Sequence, residues 1–154
     1  IFYWKDKFLV LSIKTNESLI TSTQLVRFDE LYPHEHVIVE RQNALYKYLE
    51  SLKPYAILPS IIICDKTNVI IDGHHRYISL IELGFKMIPT TKVNYKNKSI
   101  ITHIDNKLLK EKIIDSALSG KPLKPKSSFH HIIDNNKKPH PIILISSLFK
   151  LDFK

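Results

Sequence analysis

The chain has 154 residues, of which 44% are hydrophobic and 25% charged, a balance typical of one globular domain and not of a disordered chain. No apolar run approaches the ~18 residues of a membrane span, so no membrane partner is expected. The single cysteine, Cys64, excludes an internal disulfide and favours a reducing, cytoplasmic setting.

The formal net charge of +8 is unevenly distributed along the chain. Residues 1–85 carry 9 Lys and Arg against 10 Asp and Glu, whereas residues 86–154 carry 14 Lys against 5 Asp and Glu. This asymmetry indicates either a polyanionic partner, such as a nucleotide or nucleic acid, or a scatter of solvated lysines. Because only three arginines occur in the whole chain, a DNA-binding surface is not expected.

Hydrophobic periodicity predicts the secondary structure in chain order. Short apolar runs predict strands over residues 7–13, 24–28, 58–64, 69–71, 88–95 and 140–149, with residues 58–64 and 69–71 forming a hairpin. Helical spacing predicts three helices: one from residue 37 to just before Pro54, one that begins after Gly73 and is closed by Gly84, and one over residues 106–118. The buried face of the first helix is predicted as Val37, Val39, Leu45, Tyr48, Leu49 and Leu52, and that of the third as Leu108, Leu109, Ile113, Ile114 and Leu118.

This order of elements predicts an α+β fold. We expect one domain over residues 1–154, built on a small mixed sheet with flanking helices. Residues 20–131 would form its core, and residues 120–154 a basic C-terminal extension.

The stretch VIIDGHHRYISLIELG, residues 69–84, places a glycine between a predicted strand and a predicted helix. Free N–H groups and the dipole at such a helix start attract an anion, and Gly73 lets a phosphate approach the backbone. Arg76 could fork two phosphate oxygens, while His74 and His75 could donate hydrogen bonds or carry charge near neutral pH. Asp72 could cap the helix, hold Mg²⁺ or receive a substrate hydroxyl.

Three short segments occur in one order along the chain: LYPHE at residues 31–35, DGHHR at residues 72–76 and KPKSSFHH at residues 124–131. Together they resemble the free L-serine kinase branch of the ParB/sulfiredoxin-like superfamily. The sulfiredoxin branch is disfavoured because its catalytic cysteine position is His74 here. The arginine-rich turn of ParB partition proteins is matched only at Gly73, Arg76 and Tyr77.

The resemblance implies a kinase that converts free L-serine to O-phospho-L-serine with ATP or ADP and Mg²⁺. It implies Glu35 as the general base and Asp72 as a second catalytic residue and metal ligand. It also implies phosphate or nucleotide contacts from Gly73, His74, His75, Arg76, Lys126, Ser127 and Ser128, and substrate contacts from Glu40 and His130. Phe129 stands where the family carries arginine.

The alternative function is a non-catalytic, ParB-type module that binds nucleotide or DNA through the basic C-terminal half. No Walker-type phosphate loop and no protein-kinase motif occurs in the sequence. The histidines of residues 34–36 and 130–131 lack the spacing and cysteine partners of a zinc site. Neither the choice between ATP and ADP nor an oligomeric state follows from the sequence.

Overall fold

The computed structural model describes residue 15, residues 18–105 and residues 107–153. Within these ranges it contains the helices α1 (Val39–Ser51), α2 (His74–Glu82) and α3 (Lys110–Leu118). Its strands are β1 (Ile20–Arg27), β2 (Tyr55–Pro59), β3 (Ile61–Cys64), β4 (Ile70–Asp72), β5 (Met87–Val93), β6 (Ile100–Ile101), β7 (His131–Ile133), β8 (Pro139–Pro141) and β9 (Leu148–Asp152). The 3₁₀ helices Phe28–Glu30 and Ile142–Ile145 complete it. The predicted α+β class is confirmed, whereas the strand predicted over residues 7–13 lies outside the described residues.

The central sheet has four strands in the order β1-β5-β3-β4. It is mixed, since β5 runs parallel to β3 while β1 and β4 are antiparallel to their neighbours. The predicted hairpin is present as β3 and β4. Its turn contains Asn68, which has a φ of 59° and so occupies the left-handed region that asparagine tolerates.

Both faces of the central sheet are covered. Along β3, Ile61 and Ile63 pack into one hydrophobic cluster with residues of α1 and α2, while Ile62 and Cys64 pack into a second cluster with residues of α3. This burial on both faces explains why β3 is a continuous apolar run. The described residues also form two smaller sheets, β2-β9 and β6-β7-β8.

Residues 58–64 form parts of two strands, so the prediction of one strand is wrong. The chain leaves the β2-β9 sheet at Ser60 and enters the central sheet as β3. Ser60 is fully buried and fixes this transition: its N–H donates to Ser147 O at 2.8 Å, and its hydroxyl lies 2.7 Å from Thr91 Oγ1.

The predicted buried face of α1 is only partly correct. Leu49 is buried, but Val39 and Tyr48 are 64% and 61% exposed. Gln42 is buried instead, because its side-chain amide lies 2.7 Å from Ser79 Oγ at the contact between α1 and α2.

The third helix is shorter than predicted, since α3 begins at Lys110. Thr102 Oγ1 donates to Leu108 O, which holds that residue in the preceding loop. Leu109 and Leu118, both predicted to be buried, are exposed, whereas Ile113 is fully buried.

The C-terminal residues 140–149 are not one strand, as predicted. They contain the end of β8, a 3₁₀ helix and the start of β9. The chain must turn here because Ile142 packs into the cluster with α3, while Leu151 of β9 packs into the opposite cluster. None of the described helices is long and apolar enough to cross a bilayer.

Candidate functional site

A cavity of about 180 Å³ lies where the segment after β1, the β4–α2 junction and the loop before β7 meet. Nine of the residues predicted for the site line it: Glu35, Asp72, Gly73, His74, His75, Arg76, Lys126, Ser128 and His130. Ile71 and Phe129 line it as well. The fold thus brings together, in one cavity, residues from three distant parts of the sequence.

Two predicted residues do not line this cavity. Glu40 is exposed in the first turn of α1. Ser127 turns away, because both its N–H and its hydroxyl donate to Lys124 O, at 3.2 and 2.5 Å. Neither residue is therefore placed to contact a molecule in the cavity.

Gly73 joins β4 to α2 with a φ of +104°, a conformation that side-chain-bearing residues rarely adopt. A Cβ atom at this position would lie 2.8 Å from Arg76 Nη2 and 3.0 Å from Ile61 Cδ1. Gly73, and not Asp72, is the N-cap residue, and no side chain caps α2. The first-turn N–H groups of α2 are therefore available to an anion.

Arg76 and Asp72 form an ion pair one helical turn apart. Arg76 Nη2 donates to Asp72 Oδ2 at 3.3 Å and to Ser60 O at 3.1 Å. Both hydrogens of Nη2 are used in these bonds, so an anion would have to be bound by the other N–H groups of the guanidinium. Arg76 Nε is buried and has no hydrogen-bond partner among the described residues.

His74 and His75 connect the start of α2 to the segment that carries Glu35. His74 Nε2 accepts the His34 N–H at 3.2 Å, and His75 Nε2 accepts the Ile38 N–H at 3.0 Å. A ring that accepts at Nε2 is neutral and carries its proton at Nδ1. Of the two roles predicted for these histidines, charge near neutral pH is therefore wrong, whereas each Nδ1–H can still donate a hydrogen bond.

Burial is the main reason that these rings are neutral. It lowers the pKa of His74 well below the usual histidine range, and the nearby His34 and His130 lower it further. Burial also lowers the pKa of His75, with smaller contributions from the charges of Arg41 and Arg76.

Glu35 is held by the loop before β7. Its Oε1 accepts the Lys126 N–H at 2.7 Å, and its Oε2 accepts the Ser128 N–H at 3.0 Å and the Ser128 hydroxyl at 2.9 Å. Lys126 adopts a φ of 62°, which helps to aim the two N–H groups at one carboxylate. These donors, which the sequence suggested for phosphate, are thus bound to Glu35.

The backbone also fixes this contact. His36 N–H donates to Leu123 O at 2.9 Å, and Leu123 N–H donates to His34 O at 2.7 Å. The Glu35 side chain is only 13% exposed. Glu35 is therefore a positioned acid at the cavity wall and not a solvated loop residue.

His34 is fully buried behind Glu35 and was not predicted as a site residue. Its Nδ1 donates to Ile70 O, and its Nε2 lies 2.8 Å from Ser128 Oγ. Burial lowers the pKa of His34 to about 4, so the ring is neutral at pH 7. Its place beside Glu35 in LYPHE was the only sequence signal for it.

His130 lies at the other end of the same histidine cluster. Its Nε2 is 2.8 Å from Tyr95 Oη, and its ring centroid is 5.6 Å from that of His34. Burial, followed by the proximity of His34 and Lys110, lowers the pKa of His130 well below the usual range. His130 is therefore a neutral group at the cavity wall.

No group of three or more His, Cys, Asp or Glu residues suited to a metal ion occurs among the described residues. Asp72 is the predicted metal ligand. It faces the cavity, and one of its carboxylate oxygens is paired with Arg76. This donor set suits Mg²⁺, which binds through one or two carboxylates with phosphates and water.

Comparison with known proteins indicates which class of protein this chain resembles. The chain is 31% identical over 80 residues to a ParB-like protein of Sulfolobus acidocaldarius, a match that covers 52% of this chain and 39% of that protein. It is also 30% identical over 80 residues to an ATP-dependent L-serine kinase of Staphylothermus marinus, covering 49% of this chain and 31% of the kinase. The resemblance to the ParB/sulfiredoxin-like superfamily and its serine kinase branch is thereby confirmed.

These matches are partial. The chain spans about two fifths and about a third of the lengths of the two relatives, and no protein-family model matches it. Among solved structures, a free serine kinase in complex with AMP aligns with a TM-score of 0.46 and 21% identity, over 59% of this chain and 37% of that one. C-terminally truncated SbnI from Staphylococcus aureus aligns with a TM-score of 0.43 and 28% identity, over 52% of this chain and 34% of that one.

Proposed function

We propose that this protein is a phosphotransferase that converts free L-serine to O-phospho-L-serine, with ATP or ADP as the donor and Mg²⁺ as the metal. The main support is that Glu35, Asp72 and the uncapped start of α2 line one cavity. The similarity to a protein that is an ATP-dependent L-serine kinase supports the same reaction.

In this proposal, Glu35 accepts the proton of the serine hydroxyl as that oxygen forms a bond to the terminal phosphorus. The bond from this phosphorus to the bridging oxygen of the donor breaks, which releases ADP from ATP or AMP from ADP. Three hydrogen bonds hold its carboxylate in one orientation, as a general base requires. The neighbouring His34 ring is neutral and so forms no ion pair with the carboxylate.

The β4–α2 junction would bind the phosphates of the donor. Phosphoryl transfer depends mainly on positioning and on neutralising negative charge. Gly73 lets the phosphates approach the backbone, the first-turn N–H groups of α2 donate to them, and the Nδ1–H groups of His74 and His75 add neutral donors.

Asp72 would hold Mg²⁺ together with the phosphates of the donor. The bond from Arg76 fixes one of its oxygens and leaves the other for the metal. When bound, Mg²⁺ would neutralise charge on the transferred phosphate. His130 would line the serine side of the cavity, and Phe129 in place of an arginine removes one cation from that wall.

The test is direct. Purified protein is incubated with free serine, Mg²⁺ and either ATP or ADP, and phosphoserine is quantified by mass spectrometry. We expect phosphoserine with at least one donor and none when serine or Mg²⁺ is omitted. Absence of phosphoserine with both donors would reject the proposal.

A non-catalytic ParB-type module is the second candidate, favoured by the similarity to the ParB-like protein and by the basic residues 86–154. Binding of DNA through lysines would weaken steeply as salt rises. Tight, salt-dependent DNA binding together with no phosphoserine would favour this candidate over the kinase.

A further inference from the structure

Three side chains form a continuous hydrogen-bonded array that begins at the cavity wall with Glu35 and Ser128 and ends at the buried His34. Ser128 Oγ lies 2.8 Å from His34 Nε2 and 2.9 Å from Glu35 Oε2. The far nitrogen of the imidazole, His34 Nδ1, contacts Ile70 O. The Ser128 hydroxyl is therefore between two groups that can each accept its hydrogen.

Counting protons shows that this array has one hydrogen fewer than its contacts require. A carbonyl oxygen only accepts, so the proton of neutral His34 must be on Nδ1, and Nε2 must be an acceptor. An ionised carboxylate also only accepts. The single hydrogen of Ser128 can therefore satisfy either His34 or Glu35, but not both at once.

We propose that the Ser128 hydroxyl is a two-position switch, with His34 as the positioning residue that makes the second position available. While Glu35 is ionised, Ser128 donates to its Oε2. When Glu35 takes a proton on Oε2, that oxygen donates to Ser128 Oγ, and the Ser128 hydroxyl turns and donates to His34 Nε2. This inference deepens the proposed function and rests on it, because Glu35 is there the group that takes the proton of the serine substrate.

The proton balance is simple. The O–H bond of the substrate breaks as an O–H bond forms on Glu35, while Ser128 keeps its own hydrogen and only rotates. His34 gains no proton in this step. Both states of Glu35 then leave the half-buried Ser128 hydroxyl hydrogen-bonded.

The other groups that face the array do not compete for this hydrogen. From α2, the His74 ring packs edge-on against His34 with centroids 4.5 Å apart, and its Nε2 is already occupied. Asp72 is paired with Arg76. His130 is engaged with Tyr95, and the backbone N–H groups of Lys126 and Ser128 donate to Glu35 and leave no further hydrogen for His34.

The test follows the pH midpoint of the Glu35 side-chain carboxyl ¹³C resonance in the protein without substrate, with the signal assigned by its absence in Glu35→Gln. His34→Asn keeps a donor for Ile70 O but loses the acceptor at the Nε2 position. The protonated form is then penalised, so the midpoint moves about one pH unit toward acid. His34→Gln restores an acceptor near that position and should return the midpoint toward wild type.

Ser128→Ala should move the midpoint in the opposite direction. It removes a charge-assisted bond from the ionised state and only a neutral bond from the protonated state, and the former is stronger. Adding His34→Asn to Ser128→Ala should then change nothing, because the hydroxyl through which His34 acts is gone. Ser128→Thr keeps the hydroxyl and should behave as wild type.

The inference is overturned if His34→Asn leaves the midpoint in place, if His34→Gln shifts it as far as His34→Asn does, or if His34→Asn still shifts it in the Ser128→Ala background. Should the His34 variants fail to fold, equal midpoints in Ser128→Ala and Ser128→Thr would still overturn it, because the hydroxyl would then have no effect on Glu35. The readout requires no turnover, so an inactive protein with the expected midpoints would reject only the proposed function. An active enzyme without them would reject only the switch.

Discussion

The carboxylate of Glu35 accepts a hydrogen bond from the hydroxyl of Ser128 at 2.9 Å, although 93 residues separate them in the chain. Two backbone N–H groups of the same loop donate to the same carboxylate. The Glu35 carboxylate thus lines the cavity and also holds the loop before β7 in place. Glu35 therefore has a structural role beside its proposed chemical one, and variants at this position test both.

Glu35→Gln should lower serine phosphorylation by about 10²-fold or more, because an amide cannot accept the substrate proton. It should also lower the free energy of unfolding by roughly 1–3 kcal/mol, since the amide nitrogen cannot accept the N–H groups that the carboxylate accepts. Turnover by mass spectrometry and unfolding in urea measure the two effects. Glu82→Gln, at an exposed glutamate outside the cavity, is the matched control and should change neither. Full activity in Glu35→Gln would contradict its role as a base.

Gly73→Ala should destabilise the protein more than Gly84→Ala. Both glycines have a left-handed φ, +104° and +94°, but an added Cβ meets Arg76 and Ile61 only at Gly73, with nothing within 4 Å at Gly84. Backbone strain costs about 1–3 kcal/mol at either site, and the contact at Gly73 adds to it. Urea unfolding of the two variants measures the difference. Equal losses in the free energy of unfolding would show that the Arg76 side chain moves aside without cost, and therefore that it does not hold Asp72 in place.

Asp72→Asn should remove the Mg²⁺ dependence of nucleotide binding. The amide is a poorer metal ligand than a carboxylate and no longer forms an ion pair with Arg76. Calorimetric titration of nucleotide with and without Mg²⁺ measures this, and Asp115→Asn, at an exposed residue outside the cavity, is the control. A metal effect in Asp72→Asn as large as in wild type would place the metal ligand elsewhere.

Stability should fall as the pH is lowered through the histidine range. The pKa of His34 is about 4 in the folded protein, against about 6.5 in the unfolded chain. Between these values the unfolded state binds more protons, so the stabilisation present above pH 6.5 is lost on acidification. One histidine contributes about 1.4 kcal/mol per pH unit inside this window.

His74, His75 and His130 act in the same direction, since burial lowers the pKa of each. Urea unfolding between pH 7 and 4.5 measures the slope. His34→Gln should reduce it by the contribution of one group, because glutamine does not titrate. A free energy of unfolding that is constant or rises on acidification would contradict a neutral, buried His34.

The β4–α2 junction could be predicted from the sequence because its signals are local. Gly73 lies between an apolar run and a helical pattern, and few other residues tolerate its φ. The pairing of β3 with β4 could also be predicted, because two apolar runs enclose a short polar turn. Local chemistry alone fixes both features.

The partners of each side chain could not be predicted. His74 and His75 line the cavity, but their Nε2 atoms accept backbone N–H groups from a segment about 40 residues away, which sequence spacing does not encode. The same holds for the Ser128 donor to Glu35. Residues 140–149 were wrongly predicted as one strand. Their apolar side chains pack into the hydrophobic clusters on both faces of the central sheet, so their sequence pattern resembles that of one buried strand.

The most direct test of the central claim is a crystal structure of the protein with free serine, Mg²⁺ and a non-hydrolysable ATP analogue. We expect the serine hydroxyl within ~2.6–3.2 Å of a Glu35 carboxylate oxygen, and the terminal phosphate against the first turn of α2 beside Asp72. A serine hydroxyl that faces away from Glu35, or a nucleotide bound outside this cavity, would contradict the account.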